Sequence, residues 1–205
     1  LFPLEYGLSY ASGETGPGVI GADVEGVQST EEDSIALYSS RALPPWMVYI
    51  TTPDTSDTML SGSYMAHPSG AVDVRATDMV IQEDALTVTF SGSGPASMKI
   101  AGSNLDLSDY LETGVMSFRL NLESLSADEL RLYLGDRSIN LASALAAQVG
   151  QGWTDVSVAV ACFADNAEEL RSVDMPFALA SEAAASVSIG ELSYHKQGEA
   201  TIGCD

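Results

Sequence analysis

Positively charged side chains are scarce in this sequence. Its 205 residues include 8 Lys and Arg against 29 Asp and Glu, which gives a net charge of −21. Nucleic acids and anionic membrane surfaces are bound through clustered cations, so this composition argues against both as partners. A low Lys content with many acids is compatible with salty water outside a cell, where ions screen self-repulsion. An acidic surface that only maintains solubility would explain the same composition.

Long apolar runs are also missing, although 45% of the residues are hydrophobic. No run approaches the roughly 20 apolar residues that a membrane-spanning helix needs. The apolar residues are instead dispersed in short groups and are numerous enough to fill a sizeable core. The length suits one domain, or one domain with an attached linker.

Cysteine and histidine are scarce, with 2 of each, and the two distant thiols and two His do not make a zinc ligand set. A disulfide between Cys162 and Cys204 would hold down the C-terminal tail. In the chain-entropy model it would stabilise the fold by roughly 3–4 kcal/mol, and it would require an oxidising compartment. Two unrelated thiols remain the alternative.

No arrangement typical of a self-contained active site is present. His67 precedes a proline in a turn, and His195 lies near the end of a strand; neither has a nucleophile in an elbow motif. Acid pairs such as Glu83-Asp84 and Glu168-Glu169 could act as glycosidase carboxylates. However, adjacent strand residues point to opposite faces, and runs of acids are usually solvated. We therefore predict no catalytic residue in this chain.

Apolar and polar residues alternate with a period of two through much of the chain, which predicts half-buried antiparallel strands. The alternating segments are GAVDVRATD, ALTVTFSG, GVMSFRLNLES, ELRLYLG and WTDVSVAVACF. The last run places Cys162 in a strand. Many short strands separated by Gly, Pro and Asp predict an all-β antiparallel sandwich or jelly roll with one or two short helices.

Two local features interrupt the alternation. In ASVSIGELSYHK the buried phase changes between Ile189 and Leu192, which predicts a β-bulge at Gly190-Glu191. NLASALAAQVG is the best helix candidate, with Asn140 as its cap and Gly150 at its end. NLDLSDYLETG could form a turn or two of helix.

The opening segment LFPLEYGLSY carries a family resemblance. It resembles the close of the second domain of glycoside hydrolase family 3 β-glucosidases, where the usual pattern is L-F-P-F-G-[YH]-G-L-S-Y. It departs from that pattern at Leu4 and Glu5. Its matching residues are Leu1, Phe2, Pro3, Tyr6, Gly7, Leu8, Ser9 and Tyr10.

The remainder resembles the extra C-terminal, galactose-binding-like β-sandwich domain of bacterial exo-β-glucanases in that family. The segments that carry this likeness are PPWMVYI, AVDVRATDMVIQEDALTVTFSG, GWTDVSVAVACFADNAEELRSVDMPFAL and ASVSIGELSYHK. Relatives also have a Cys near the C-terminus, which supports a bridge from Cys162 to Cys204. They often have Trp where this chain has Phe90, which puts a stacking role there in doubt.

The resemblance implies a division of the chain. We expect residues 1–10 to be the tail of a preceding catalytic domain and 11–33 an acidic, Gly-rich linker. Residues 34–196 would form the sandwich, and 197–205 a tail pinned by the disulfide. The upstream catalytic domains of the same chain would be its partners, and the parent would be a secreted or periplasmic glycoside hydrolase acting on β-glucans by a retaining mechanism.

One function is carbohydrate binding on a concave sheet face, since Arg and Asn can bond sugar hydroxyls and Tyr offers a flat apolar face. Trp46 and Trp153 stand at strand starts, where core packing or strand anchoring is favoured. The alternation places seven candidates on outward faces: Arg75, Lys99, Arg119, Asn121, Arg131, Tyr133 and Tyr49. Ordinary solvated strand residues would show the same pattern.

The alternative is a structural domain that docks onto the catalytic domains without binding free sugar. The linker and the segment TTPDTSDTMLSGSYMAHP are candidate contact loops. Exposed Met59, Tyr64 and Met65 would favour docking. No cofactor is expected; a structural calcium ion is compatible with the many carboxylates, but no loop has diagnostic ligand spacing.

Overall fold

The structure is a computed structural model that describes residues 33–39, 41–53 and 55–204. The expected tail 1–10 and the linker 11–33, except for Asp33, lie outside the described residues, so the division of the chain stays a prediction. In chain order the strands are β1 (Ser34–Tyr38), β2 (Met47–Thr51), β3 (Thr58–Met59), β4 (Tyr64–Ala66), β5 (Val72–Thr77), β6 (Ala85–Ser91), β7 (Ala96–Ala101), β8 (Val115–Leu125), β9 (Arg131–Leu134), β10 (Arg137–Asn140), β11 (Trp153–Ala159), β12 (Phe177–Ser181) and β13 (Ala184–His195).

The strands form two antiparallel sheets. The seven-stranded sheet has the order β11-β8-β13-β6-β5-β4, with β1 also paired to β13, and the six-stranded sheet has the order β10-β9-β12-β7-β2-β3. This confirms the predicted all-β sandwich. Neighbours in space are mostly distant in sequence, as expected for a jelly roll.

The core lies between the sheets and is built from the inward phase of each strand. In β8, Met116, Phe118, Leu120 and Leu122 are almost fully buried while the residues between them are half-buried. Phe118 meets Phe177 of the other sheet edge to face, with ring centroids 5.6 Å apart. Each such buried side chain contributes on the order of 1.5–3 kcal/mol of hydrophobic stabilisation.

The predicted bulge is confirmed in β13. The register between β13 and β8 shifts between Gly190 and Ser193, and Glu191 has a φ of 51°. The extra residue lets Ile189 and Leu192 both face the core although they are three positions apart.

Helical structure is short. The predicted helix is present but shorter than expected: α1 (Ala142–Leu145) is followed by a 3₁₀ turn, Ala146–Gln148. Its N-cap is Leu141 and not Asn140, although the Asn140 side chain accepts the Ala142 N–H at 3.1 Å. Further 3₁₀ helices are Ser108–Tyr110, Val160–Cys162 and Ala167–Leu170. The placement of Cys162 in a strand was therefore wrong, because β11 ends at Ala159 and the chain then turns. Within the described residues, no helix is long and apolar enough to cross a membrane.

Candidate functional site

The structure divides the seven candidate residues between the two sheets. The six-stranded sheet carries Tyr49, Lys99, Arg131 and Tyr133; the seven-stranded sheet carries Arg75, Arg119 and Asn121. The seven residues therefore cannot all belong to one concave face. Alternation shows which side of its own strand a residue occupies, but it does not show which sheet that strand joins.

Three of the candidates on the six-stranded sheet share one row across the strands. Tyr49 pairs with Lys99, Lys99 with Ala178, and Ala178 with Tyr133. Because cross-strand partners point to the same face, all four side chains face outward. Ala178 is only 2% exposed in spite of this orientation, since longer side chains stand on both sides of it.

A groove runs along the outer face of β12 because its outward residues, Ala178 and Ala180, are small. Its volume is about 430 Å³, with Tyr133 on one side and Lys99 on the other. The end of β2 and the connection that follows it add Thr51, Thr52, Pro53, Thr55 and Asp57 to its wall. We call this feature the β12 groove. Tyr49 lies on the same face, one strand beyond Lys99.

A smaller depression of about 110 Å³ continues the groove past Tyr133. It shares Tyr133 and Ala180 with the larger one and adds Arg131, Glu129 and Glu182. Arg131 Nε lies 3.8 Å from Glu129 Oε1, and Nη1 donates to Ser138 Oγ at 3.4 Å. Both contacts are long, so the guanidinium keeps donor capacity for a ligand.

The Lys99 ammonium is fixed by Asp57, with Nζ and Oδ2 2.6 Å apart. The Lys99 side chain is 20% exposed and the Asp57 side chain 43%. Pairs this close to solvent contribute up to about 1 kcal/mol to stability. Their effect here is positional, because the pair joins the wall after β2 to the sheet.

His67, in the turn between β4 and β5, supports that wall. It is 3% exposed, and its Nε2 lies 2.8 Å from Thr55 Oγ1 while its Nδ1 lies 2.7 Å from Ser69 Oγ. Thr55 Oγ1 is also 3.0 Å from Thr52 Oγ1. No sequence pattern pointed to this role, or to those of Asp57 and Ala178, because each depends on contacts between distant segments.

The three candidates on the seven-stranded sheet lie on its outer face. Arg119 Nε is 3.2 Å from Asp155 Oδ1 but makes no hydrogen bond in the described residues, so this is an undirected contact between charges. Arg119 borders a polar cleft of about 340 Å³ that also contains Glu191 and His195. His195 Nε2 is 2.8 Å from Ser193 Oγ.

The large aromatic side chains differ in what they can contact. Trp46 is 5% exposed and Phe90 2%, so both belong to the core and neither can stack on a ligand. This confirms core packing for Trp46 and resolves the doubt at Phe90. Trp153 is half-buried at the start of β11.

The acid pairs have structural roles. The Asp84 carboxylate is 6% exposed and accepts the N–H groups of Met79, Val80 and Ile81 at 2.6, 2.9 and 2.9 Å. Glu168 and Glu169 lie in the first turn of a 3₁₀ helix capped by Asn166. The expectation that such acids are solvated was wrong for Asp84.

The disulfide between Cys162 and Cys204 is confirmed, with Cα atoms 4.9 Å apart. It fixes the tail next to β11, where Ile202 bridges to Val158. Among the described residues, no three His, Cys, Asp or Glu side chains are grouped so that they could hold a metal ion. A structural calcium ion stays a prediction.

The family is decided by comparison with known proteins. Residues 44–194 match the family Exop_C, described as galactose-binding domain-like. The chain belongs to this family. A comparison of this Exop_C domain with curated proteins found no significant match.

Solved structures agree with this assignment at the level of the fold. The extra C-terminal domain of the exo-1,3/1,4-β-glucanase of a Pseudoalteromonas species matches with a TM-score of 0.68 and 12% identity, covering 82% of this chain and 96% of that one. The complete glucanase matches with a TM-score of 0.69 and 13% identity over 83% of this chain. The match spans 22% of the length of that enzyme.

A carbohydrate-binding module has a similar fold. The family 30 module of a cellulosomal cellulase from Clostridium thermocellum matches with a TM-score of 0.57 and 11% identity, covering 81% of this chain and 99% of the module. At such low identities the likeness concerns the fold alone.

Proposed function

We propose that this Exop_C domain is a non-catalytic accessory domain of a longer, secreted or periplasmic family 3 glycoside hydrolase, and that it binds β-glucan chains in the β12 groove. The family match and the similar solved structures support the accessory role. The structures are an extra C-terminal domain of a glucanase and a carbohydrate-binding module. The disulfide supports an oxidising compartment.

The observation that carries the proposal is the β12 groove itself. The half-buried ring of Tyr133, a floor of alanines and a wall of threonine hydroxyls stand beside the Lys99–Asp57 pair and Arg131. Sugar rings offer an apolar face to an aromatic ring and hydroxyls to charged and hydroxyl groups, so this combination suits a glycan. A neutral glucan also avoids repulsion by the net charge of −21.

Calorimetric titration with laminari- and cello-oligosaccharides tests the groove. We expect Tyr133→Ala to weaken binding by about tenfold, which corresponds to about 1.4 kcal/mol, because the apolar stacking face is lost. Tyr133→Phe keeps that face and should bind within about twofold of the wild type. Arg119→Ala, on the opposite sheet, is the matched control. Equal affinities of the wild type and Tyr133→Ala would contradict the groove, as would an absence of binding at millimolar sugar.

A second candidate function is docking onto the catalytic domains. It is favoured by the loop between β5 and β6, where Val80 is 72% and Ile81 64% exposed although their N–H groups are bound to Asp84. Met59 and Tyr64 are also exposed, at 46% and 61%, as docking would require; Met65 is not, because it faces the core. An absence of sugar binding, together with a normally folded domain, would favour this function.

A further inference from the structure

The outer face of the seven-stranded sheet carries a continuous row of paired side chains that the β12 groove does not use. Each member is the direct cross-strand partner of the next, over six strands. The row consists of Trp153, Asn121, Ser188, Thr87, Arg75 and Tyr64. We call it the sheet row. Partners in register point to the same face, and the neighbours of these residues along each strand face the core.

Aromatic rings stand at the two ends of the sheet row. Tyr64 on β4 is 61% exposed, and Trp153 on β11 is half-buried. Five strand spacings separate them, which is about 24 Å at the usual spacing of 4.7–4.9 Å. That span exceeds the dimensions of a single sugar and matches an extended polymer that crosses the strands.

The middle of the sheet row consists of two short, buried side chains. Thr87 and Ser188 are 1% and 2% exposed, and their hydroxyl oxygens are 2.8 Å apart, so they satisfy each other. Beside them lie the longer side chains of Arg75 and Asn121. A ligand lying on this floor would therefore meet the guanidinium and the amide, and not the buried hydroxyls.

Both of these polar side chains have free hydrogen-bonding capacity. Arg75 is exposed and makes no ion pair with any described residue, whereas Lys99, Arg119 and Arg131 each have a carboxylate within 4 Å. The Asn121 side chain has no hydrogen-bond partner among the described residues. Arg offers five donors, and Asn offers both donors and an acceptor.

We infer that the sheet row is a second glycan-binding surface, and that it takes a long neutral polysaccharide lying across the strands. Two separated aromatic faces with free donors between them suit a polymer with apolar ring faces and hydroxyl edges. The net charge of −21 opposes a polyanion. The ligand class rests on the proposed function, but the surface is on the opposite sheet from the β12 groove and can be tested by itself.

The two surfaces together would make the domain bivalent. A second contact with the same polymer raises the overall affinity without any new contact at the first site. Soluble oligosaccharides would report on the groove, and insoluble glucan would report on the sheet row together with the groove.

The experiment compares sedimentation of the domain with insoluble β-1,3-glucan and cellulose. The Tyr64→Ala/Arg75→Ala variant changes two exposed side chains and should fold normally. Val80→Ala, in the exposed loop between β5 and β6, is a control outside the sheet row and the β12 groove. We expect the double variant to bind insoluble glucan at least tenfold more weakly while its affinity for short oligosaccharides stays within about twofold. Circular dichroism and the melting temperature verify the fold.

The outcomes separate the two surfaces. If the double variant binds both insoluble glucans as strongly as the wild type does, the sheet row is not a glycan-binding surface. The proposal for the β12 groove would be unaffected. Loss of insoluble-glucan binding in the double variant, but not in Tyr133→Ala, would support the sheet row even if the groove fails. The sheet-row proposal would also be wrong if Tyr133→Ala alone abolished binding to insoluble glucan. It would be wrong as well if the wild type did not sediment with insoluble glucan.

Discussion

At the scale of single residues, Asp84 shows how one buried carboxylate shapes an exposed loop. Burial raises the pKa of Asp84, but hydrogen bonds from the backbone of Ile81, Met79 and Val80 outweigh this and hold the pKa below its ordinary value of 3.8. Since the folded-state pKa is depressed, the ionised carboxylate stabilises the fold above that ordinary value. This contribution is lost as the pH falls through the lowered pKa.

We therefore expect Asp84→Asn to lower the melting temperature at pH 7, because the amide cannot accept three N–H groups as well as a carboxylate does. The difference between wild type and variant should shrink when the pH is lowered below about 3.8, because this carboxylate then binds a proton in the unfolded chain before it does so in the folded protein. Thermal unfolding followed by circular dichroism from pH 3 to pH 7 measures this.

The matched control is Asp136→Asn, in the exposed turn between β9 and β10. It should leave the melting temperature unchanged at every pH. A difference for Asp84→Asn that is constant across the pH range would show that the charge of Asp84 does not contribute.

At the scale of strands, the sequence allowed the faces to be predicted but not their assembly. The alternation in β8 correctly separated Phe118 from Arg119, and the phase change in β13 located the bulge at Glu191. It could not place Arg119 and Tyr133 on different sheets, because pairing partners are set by contacts between segments far apart in the chain. For the same reason the alanine floor of the β12 groove and the buried His67 had no sequence signal.

The C-terminal tail is an element that depends on a covalent bond. Thr201 and Ile202 hydrogen-bond to Ser157 on β11, at the edge of the seven-stranded sheet, and Cys204 joins Cys162. The bond closes a loop with a sequence separation of 42. The chain-entropy model assigns such a loop about 4 kcal/mol, and removal of a native disulfide typically costs about 2–5 kcal/mol.

We expect Cys162→Ser/Cys204→Ser to lower the free energy of unfolding by about 2–4 kcal/mol, measured by urea denaturation without reductant. Reductant should destabilise the wild type by a similar amount and leave the variant unaffected. A variant as stable as the oxidised wild type would contradict a stabilising role of the disulfide. The same conclusion would follow if the reduced and oxidised wild type unfolded at the same urea concentration.

At the scale of the whole molecule, the charge imbalance dominates. The excess of acids, 29 against 8, produces self-repulsion that favours the unfolded chain. The ion pairs, such as those of Arg137 with Asp165 and Glu169, are largely exposed and contribute little. Salt screens both effects, since the Debye length falls from about 10 Å at 0.1 M to about 3 Å at 1 M. The repulsion is the larger effect, so salt should stabilise the fold.

Raising sodium chloride from 0.05 M to 1 M at pH 7 should therefore raise the melting temperature by at least the roughly 2–4 °C that 1 kcal/mol produces in a domain of this size. Close to the isoelectric point of about 4.1 the net charge vanishes, so the same change in salt should have no stabilising effect or a slightly unfavourable one. Calorimetric scans at low protein concentration at the two pH values measure this. An equal rise at both would show that salt acts through the solvent and not through the charges. A lower melting temperature in 1 M salt at pH 7 would show that the surface ion pairs outweigh the repulsion between acids. The acidic composition would then give no reason to link the protein to salty surroundings.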